Sequence, residues 1–192
     1  MAVDNAPANT VPVPPKAPST GKRIAIAGGG PGGLSAAYYL ELMGHHAVVF
    51  EQKSQLGGML RYGIPNYRFP RERLDEDIEA ILSTGVEVHT NANIGNGEND
   101  IPLSRLREDF DAVYIAIGAH TDKKIGMEGE DAQGVISAVE MLRNIGDGNP
   151  PDFTGKELSS WAAAMSLWTA PVRRSGWAQA RWGSLTADAR MT

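Results

Sequence analysis

The 192-residue chain contains no cysteine. It can therefore hold no disulfide, no thiolate zinc site and no iron–sulfur cluster of its own. Any such centre has to come from a partner. Long apolar runs are missing too. No stretch approaches the roughly 20 residues of a membrane-spanning helix, and the start lacks the basic opening and apolar middle of a secretory signal. A cytoplasmic setting is the default expectation. There is no basic tract, and the net charge is −5, so neither nucleic acid nor a membrane surface is expected as a partner. His45, His46, His89 and His120 show no metal-ligand spacing, and no Ser/His/Asp or Cys/His arrangement exists. No side-chain catalyst is assigned and no metal site is expected. What is left is an ordinary globular composition, 42% hydrophobic and 21% charged. The length is enough for one good core and marginal for two.

Residues 1–21 form a leader rich in Ala, Pro, Val and Thr. Its prolines disfavour a helix or a sheet ladder, so it reads as an extended, polyproline-like and disordered linker. Either something is attached to it elsewhere, or it is an idle tail.

The next stretch, Lys22 to Glu51, reads KRIAIAGGGPGGLSAAYYLELMGHHAVVFE. Arg23 to Ala27 is apolar nearly throughout, as a strand buried on both faces should be. It ends in a turn where Gly28, Gly30 and Gly33 fall in the G-x-G-x-x-G register. Gly28 allows the tight turn, Gly30 a close approach of backbone to a pyrophosphate, and Gly33 close packing of helix on sheet. Leu34, Ala37, Tyr38 and Leu42 then recur at helical spacing up to a stop at Gly44. The amino end of that helix would aim N–H groups and a positive dipole end at phosphates, so the whole turn, Pro31 and Gly32 included, is a candidate binding element. A second strand, Ala47 to Phe50, leads to Glu51. A carboxylate there can accept hydrogen bonds from ribose hydroxyls, and it disfavours a 2′-phosphorylated ribose.

Beyond Glu51 come Gln55-Leu56-Gly57-Gly58-Met59-Leu60 and then Arg61-Tyr62-Gly63-Ile64-Pro65-Asn66-Tyr67-Arg68-Phe69-Pro70. The glycine pair followed by Y-G-I-P-x-Y-R-x-P resembles the FAD-binding start of the small subunit of NADPH-dependent glutamate synthase. The same module occurs in the flavin part of dihydropyrimidine dehydrogenase. The resemblance runs from about Lys22 to Lys156. It implies an α/β, Rossmann-like FAD-binding domain with a parallel sheet, incomplete here. It also implies that Gly58 and Met59 approach the flavin side of FAD and that Arg68 contacts the cofactor. For Arg68, a loop-fixing ion pair is the alternative.

Pro70 to Ser83 reads as a helix with Leu74, Ile78, Ile81 and Leu82 on one face. Asp75, Glu76, Asp77 and Glu79 belong to a solvated face with i,i+4 pairing. Val86 to Val88 starts a short strand, and Leu103 to Asp109 is amphipathic. By resemblance, Ile94 lies near the adenine end of FAD. Asp111 to Gly118 reads as a buried parallel strand, and Gly118 either contacts FAD or simply turns the strand end.

After Lys156 the pattern breaks. The resemblance calls for a strand and a second, NADPH-binding fingerprint of the G-G-G-N-x-A-M-D type. The chain reads Glu157-Leu158-Ser159-Ser160-Trp161-Ala162-Ala163-Ala164-Met165-Ser166-Leu167-Trp168 instead, and all four tryptophans lie beyond this point. Joining the third base of each codon to the first two of the next allows Gly-Gly-Gly-Asn-Val-Ala-Met-Asp from Trp161 onward. Residues 157–192 are thus expected to be frame-shifted, non-native sequence, with a Trp-rich capping helix as the alternative. Three parts follow: a linker at 1–21, the FAD-binding segment at 22–156, and the tail at 157–192.

The functional expectation is an oxidoreductase passing electrons from NADPH through FAD to an iron–sulfur or ferredoxin-like partner. The alternative is a non-catalytic FAD-binding fragment lacking the NADPH domain. A free-standing NAD-binding dehydrogenase domain is disfavoured by the Gly57-Gly58-Met59 and Ile64-Pro65 region.

Overall fold

The computed structural model describes residues 13–124, 126, 128–155 and 158. The first twelve residues of the leader and, apart from Leu158, the tail read as frame-shifted lie outside the described residues. Four parallel strands form one sheet in the order β3-β2-β1-β4: β1 (Arg23–Ala27), β2 (His46–Phe50), β3 (Glu87–His89) and β4 (Ala112–Ile115). This is the order in which the first four strands of a doubly wound dinucleotide-binding sheet run.

The sequence pattern explains the layering. Successive side chains of a strand face opposite sides. Ile24 and Ile26 of β1 with Ala47 and Val49 of β2 join one core cluster, under helices α1 (Pro31–Leu42) and α3 (Arg71–Leu82). Ala25, Val48 and Phe50 join the other, with Leu106 of α4 (Leu103–Asp109). The amphipathic stretch 103–109 is therefore what caps the second face. Ala25, Val48 and Val49 are fully buried, as the unbroken apolar reading of these strands requires.

Two short helices complete the described part. These are α2 (Met59–Tyr62) within the glycine-pair signature, and α5 (Ala138–Gly146), whose first turn is capped by Ser137 accepting from the Glu140 amide at 3.2 Å. Among the described residues, no helix is long and apolar enough to cross a membrane.

Three expectations need correction. The strand read over 111–118 is shorter, 112–115, and it is not buried: Tyr114, Ile115 and Ile117 are 47%, 61% and 64% exposed. It pairs only with β1 and forms the sheet's edge, so its apolar side chains lack the cover that the central strands receive. Asp75 does not belong only to a solvated face, because its carboxylate pairs with the buried Arg61 of α2. Finally, residues 13–21 form neither helix nor ladder, but they are fastened to the domain. Ala17 N–H donates to Leu42 O at 2.8 Å, Thr20 N–H donates to Gly44 O at 2.9 Å, and Lys16 Nζ lies 2.5 Å from the buried Glu41.

Candidate functional site

A groove of about 630 Å³ opens at the carboxyl ends of the strands. In open parallel sheets this is where ligands bind, at the point where strand order reverses. The reversal here falls between β1 and β4. The groove is lined by Ala27 and Gly28 at the end of β1, Glu51 after β2, and Tyr114 and Ala116 at the end of β4.

The glycine turn is shaped by close approach. A Cβ on Gly33 would fall 1.9 Å from the Gly28 carbonyl oxygen, so the helix can begin here only without one. Gly30 is the N-cap of α1 and has no side-chain cap, while Pro31 occupies the first turn without needing an N–H partner. The first-turn amides of a helix lack intrahelical acceptors, and Gly32 carries one of those of α1 to the edge of the groove. The second glycine pair closes on the first: Gly57 N–H donates to Gly29 O at 2.8 Å, and a Cβ on Gly58, at φ +52°, would stand 2.7 Å from Gly30 Cα. The two glycine motifs, thirty residues apart, thus make one wall.

Glu51 is buried, 6% exposed. Its Oε2 accepts from the Gly29 amide at 2.8 Å and its Oε1 from the Lys53 amide at 2.8 Å. Each carboxylate oxygen has a second acceptor direction, which leaves capacity for a sugar hydroxyl. The α2 segment is fixed from behind. Arg61 Nε donates to Leu56 O at 2.5 Å, and the Arg71 guanidinium donates to Leu60 O at 2.7 Å and Ile64 O at 2.6 Å. Burial, and after it the neighbouring Arg61 charge, hold the Arg71 pKa below its ordinary value.

Of the residues singled out from sequence, the groove brings together Gly28, Gly30, Pro31, Gly32, Glu51, Gly58, Met59, Ile94 and Gly118. Gly33 serves packing rather than lining. Arg68 is exposed on the turn after Pro65 and is not among the lining residues. Several lining residues were missed: Lys53, Tyr62, Asn93, His120 and Arg143. Gly29, inside the same turn, does not line the groove, and a Cβ there would fall 2.4 Å from Leu56. For Arg143, nothing local marks its reach to a groove that begins at Ala27 and Gly28.

The fold is Rossmann-like, and the groove lies where sheets of this kind take their ligands. The family described as NAD(P)-binding Rossmann-like domain matches residues 26–86. The chain is 42% identical over 143 residues to the NADP(+)-dependent formate dehydrogenase subunit beta of Moorella thermoacetica, covering 73% of this chain and 20% of that protein. It is 40% identical over 131 residues to the Glutamate synthase [NADPH] small chain of Mycobacterium tuberculosis, covering 68% of this chain and 26% of that one. Over these stretches the chain is similar in sequence to the glutamate synthase small chain and to the formate dehydrogenase beta subunit. It spans about a fifth to a quarter of their length. Among solved structures, FprA of Mycobacterium tuberculosis in complex with NADPH shares the fold, with a TM-score of 0.60 and 24% identity. The match covers 70% of this chain and 32% of FprA.

Proposed function

We propose that this chain supplies the FAD-binding start of an NADPH-dependent oxidoreductase of the glutamate synthase small-chain type, which passes electrons through FAD to an iron–sulfur or ferredoxin-like partner subunit. The observation that carries the reading is the groove itself, where a capless helix end, two glycine motifs in contact and a buried carboxylate with spare acceptor capacity border one void.

These residues fit an FAD. Gly30 and Gly58 close into one wall only because Gly58 lacks a Cβ, which would stand 2.7 Å from Gly30 Cα, and that wall borders the groove. In this reading the α1 amides hold the diphosphate, and Glu51 accepts from the adenosine ribose and repels a 2′-phosphate there. Ile94 offers apolar contact to the adenine, and Met59 and Gly118 border the flavin end. Arg68 stays a candidate for cofactor contact from the exposed turn. When bound, FAD supplies the redox chemistry, taking a hydride and passing electrons on. The chain's part is to position it and shield it from water. The NADPH-binding half, the iron–sulfur partner and a cytoplasmic setting belong to the same proposal, which draws on relatives named as an NADP(+)-dependent subunit beta and an [NADPH] small chain.

A second reading, a non-catalytic FAD-binding fragment, is favoured by the uncovered side chains of Tyr114, Ile115 and Ile117 along β4, which suit a chain separated from what would pack there. Reconstituting the purified full chain with FAD, then adding NADPH without oxygen, decides between them. Bound oxidised flavin that bleaches supports the oxidoreductase. Bound flavin that stays oxidised supports the fragment, and no bound flavin overturns both.

A further inference from the structure

We infer that Arg143 is a phosphate-contact residue of the groove, taking the diphosphate of the bound dinucleotide from the side of α5. This rests on the dinucleotide reading above.

The sequence places Arg143 and Asp147 one helical turn apart, which puts them on one side of α5 and its C-cap. Asp147 is held: its carboxylate receives Lys53 Nζ at 2.9 and 3.1 Å, two residues beyond Glu51. Lys53 in turn sits over the Tyr62 ring of α2, 5.1 Å from its centroid. Gly146 packs directly on Tyr62, where a Cβ would stand 2.7 Å from both its Cα and its carbonyl oxygen. The carboxyl end of α5 is thereby pinned to α2 and to the loop after β2. One turn back, Arg143 is half-buried and lines the same groove as Gly30, Pro31 and Gly32.

The charges of the groove then separate by role. Lys53 is neutralised by Asp147, and Glu51 is anchored by two amides with acceptor capacity left over for a ribose hydroxyl rather than a phosphate. Among the described residues, the Arg143 guanidinium has neither a hydrogen-bond nor an ion-pair partner, in contrast to Arg61, Arg71 and Arg105, which are all engaged. An unpaired guanidinium and the positive end of a helix border one void, and an anion between them would be attracted to both. A diphosphate matches in charge, and the planar fork of Arg suits its oxygens. The cation that remains available is therefore the one carried on the element that was fixed in place by the other's ion pair.

The test is equilibrium titration of the full chain and of Arg143→Gln and Arg143→Lys with FAD and with ADP, at low and high sodium chloride. The glutamine variant is expected to bind both about tenfold or more weakly, as loss of a charged hydrogen bond implies, and with a shallower salt dependence. The lysine variant should retain part of the affinity and most of the salt dependence. A folded glutamine variant with wild-type affinity and salt dependence overturns the assignment while leaving the dinucleotide site standing. Should the glutamine variant fail to fold, wild-type affinity with no change in the lysine variant overturns it instead, since a bidentate contact does not survive that exchange intact. Absence of FAD and ADP binding by the wild-type chain removes the dinucleotide reading and this one with it.

Discussion

Glu51 Oε2 and the Gly29 amide are joined by a buried hydrogen bond of 2.8 Å, which ties the end of β2 to the middle of the glycine turn. The carboxylate thus shapes the turn before any ligand arrives. Replacing it with alanine strands the Gly29 and Lys53 amides, and the loss is about 1–3 kcal/mol of stability per the cost of unpaired buried groups. Glu51→Gln keeps one oxygen and should fall between. Urea unfolding followed by circular dichroism measures the order, and an unchanged midpoint for Glu51→Ala would remove the structural half of its role.

The two glycines at positions 32 and 33 should behave oppositely. Gly33→Ala meets the Gly28 carbonyl oxygen at 1.9 Å, backbone against backbone, so it cannot be relieved by a rotamer. A loss of about 3 kcal/mol or more follows, at the upper end of overpacking costs. Gly32 has nothing within 4 Å of an added Cβ and lies in a helix, where alanine gains roughly 0.5–1 kcal/mol over glycine. Thermal melts of the two variants check the contrast, and equal effects would contradict it.

The leader contributes through Lys16, whose ammonium answers the buried Glu41 carboxylate, which also accepts from the Ala47 amide at 2.9 Å. Lys16 itself is 42% exposed on its side chain. Lys16→Met should therefore cost about 1–2 kcal/mol, less than the full penalty for orphaning a buried charge. A double-mutant cycle with Glu41→Gln reads the coupling, and strict additivity would show the pair to be idle.

Asp111 and Lys22 clamp the starts of β4 and β1, with Oδ1 2.6 Å from Lys22 Nζ and Oδ2 accepting the Arg23 amide at 2.9 Å. The Lys22 hydrogen bond, and then the Arg23 amide, hold the Asp111 pKa below its ordinary 3.8; the same bond raises Lys22 above 10.5. A depressed carboxyl contributes stability above its ordinary pKa and loses it as pH falls through the folded value. A raised ammonium contributes below its ordinary pKa and loses it as pH rises through the folded value. Asp111→Asn should flatten the melting-temperature profile below pH 3.8 and above pH 10.5. A profile parallel to wild type would show that the clamp does not couple to folding.

The first βαβ unit was legible because its signals are local. The apolar runs 23–27 and 47–50, the spaced glycines and the helical period between them fix β1, α1 and β2 to within a residue or so. The stretch 103–109 was equally clear from its amphipathic period. What the sequence hid depends on distant partners. An apolar run such as 112–117 reads the same whether helices cover it or not, and only its position at the sheet edge exposes Ile115 and Ile117. The joining of Gly58 to Gly30, the engagement of both Glu51 oxygens and the reach of Arg143 into the groove all arise from the return of later chain onto the first unit. Spacing alone carries no record of those contacts.

The most direct measurement is a titration of FAD with the full chain, followed by quenching of flavin fluorescence, with riboflavin as the control that lacks the ADP half. Saturable one-to-one FAD binding, displaced by ADP, is expected, with much weaker binding of riboflavin. No saturable FAD binding, or FAD and riboflavin bound alike and indifferent to ADP, would contradict the FAD reading.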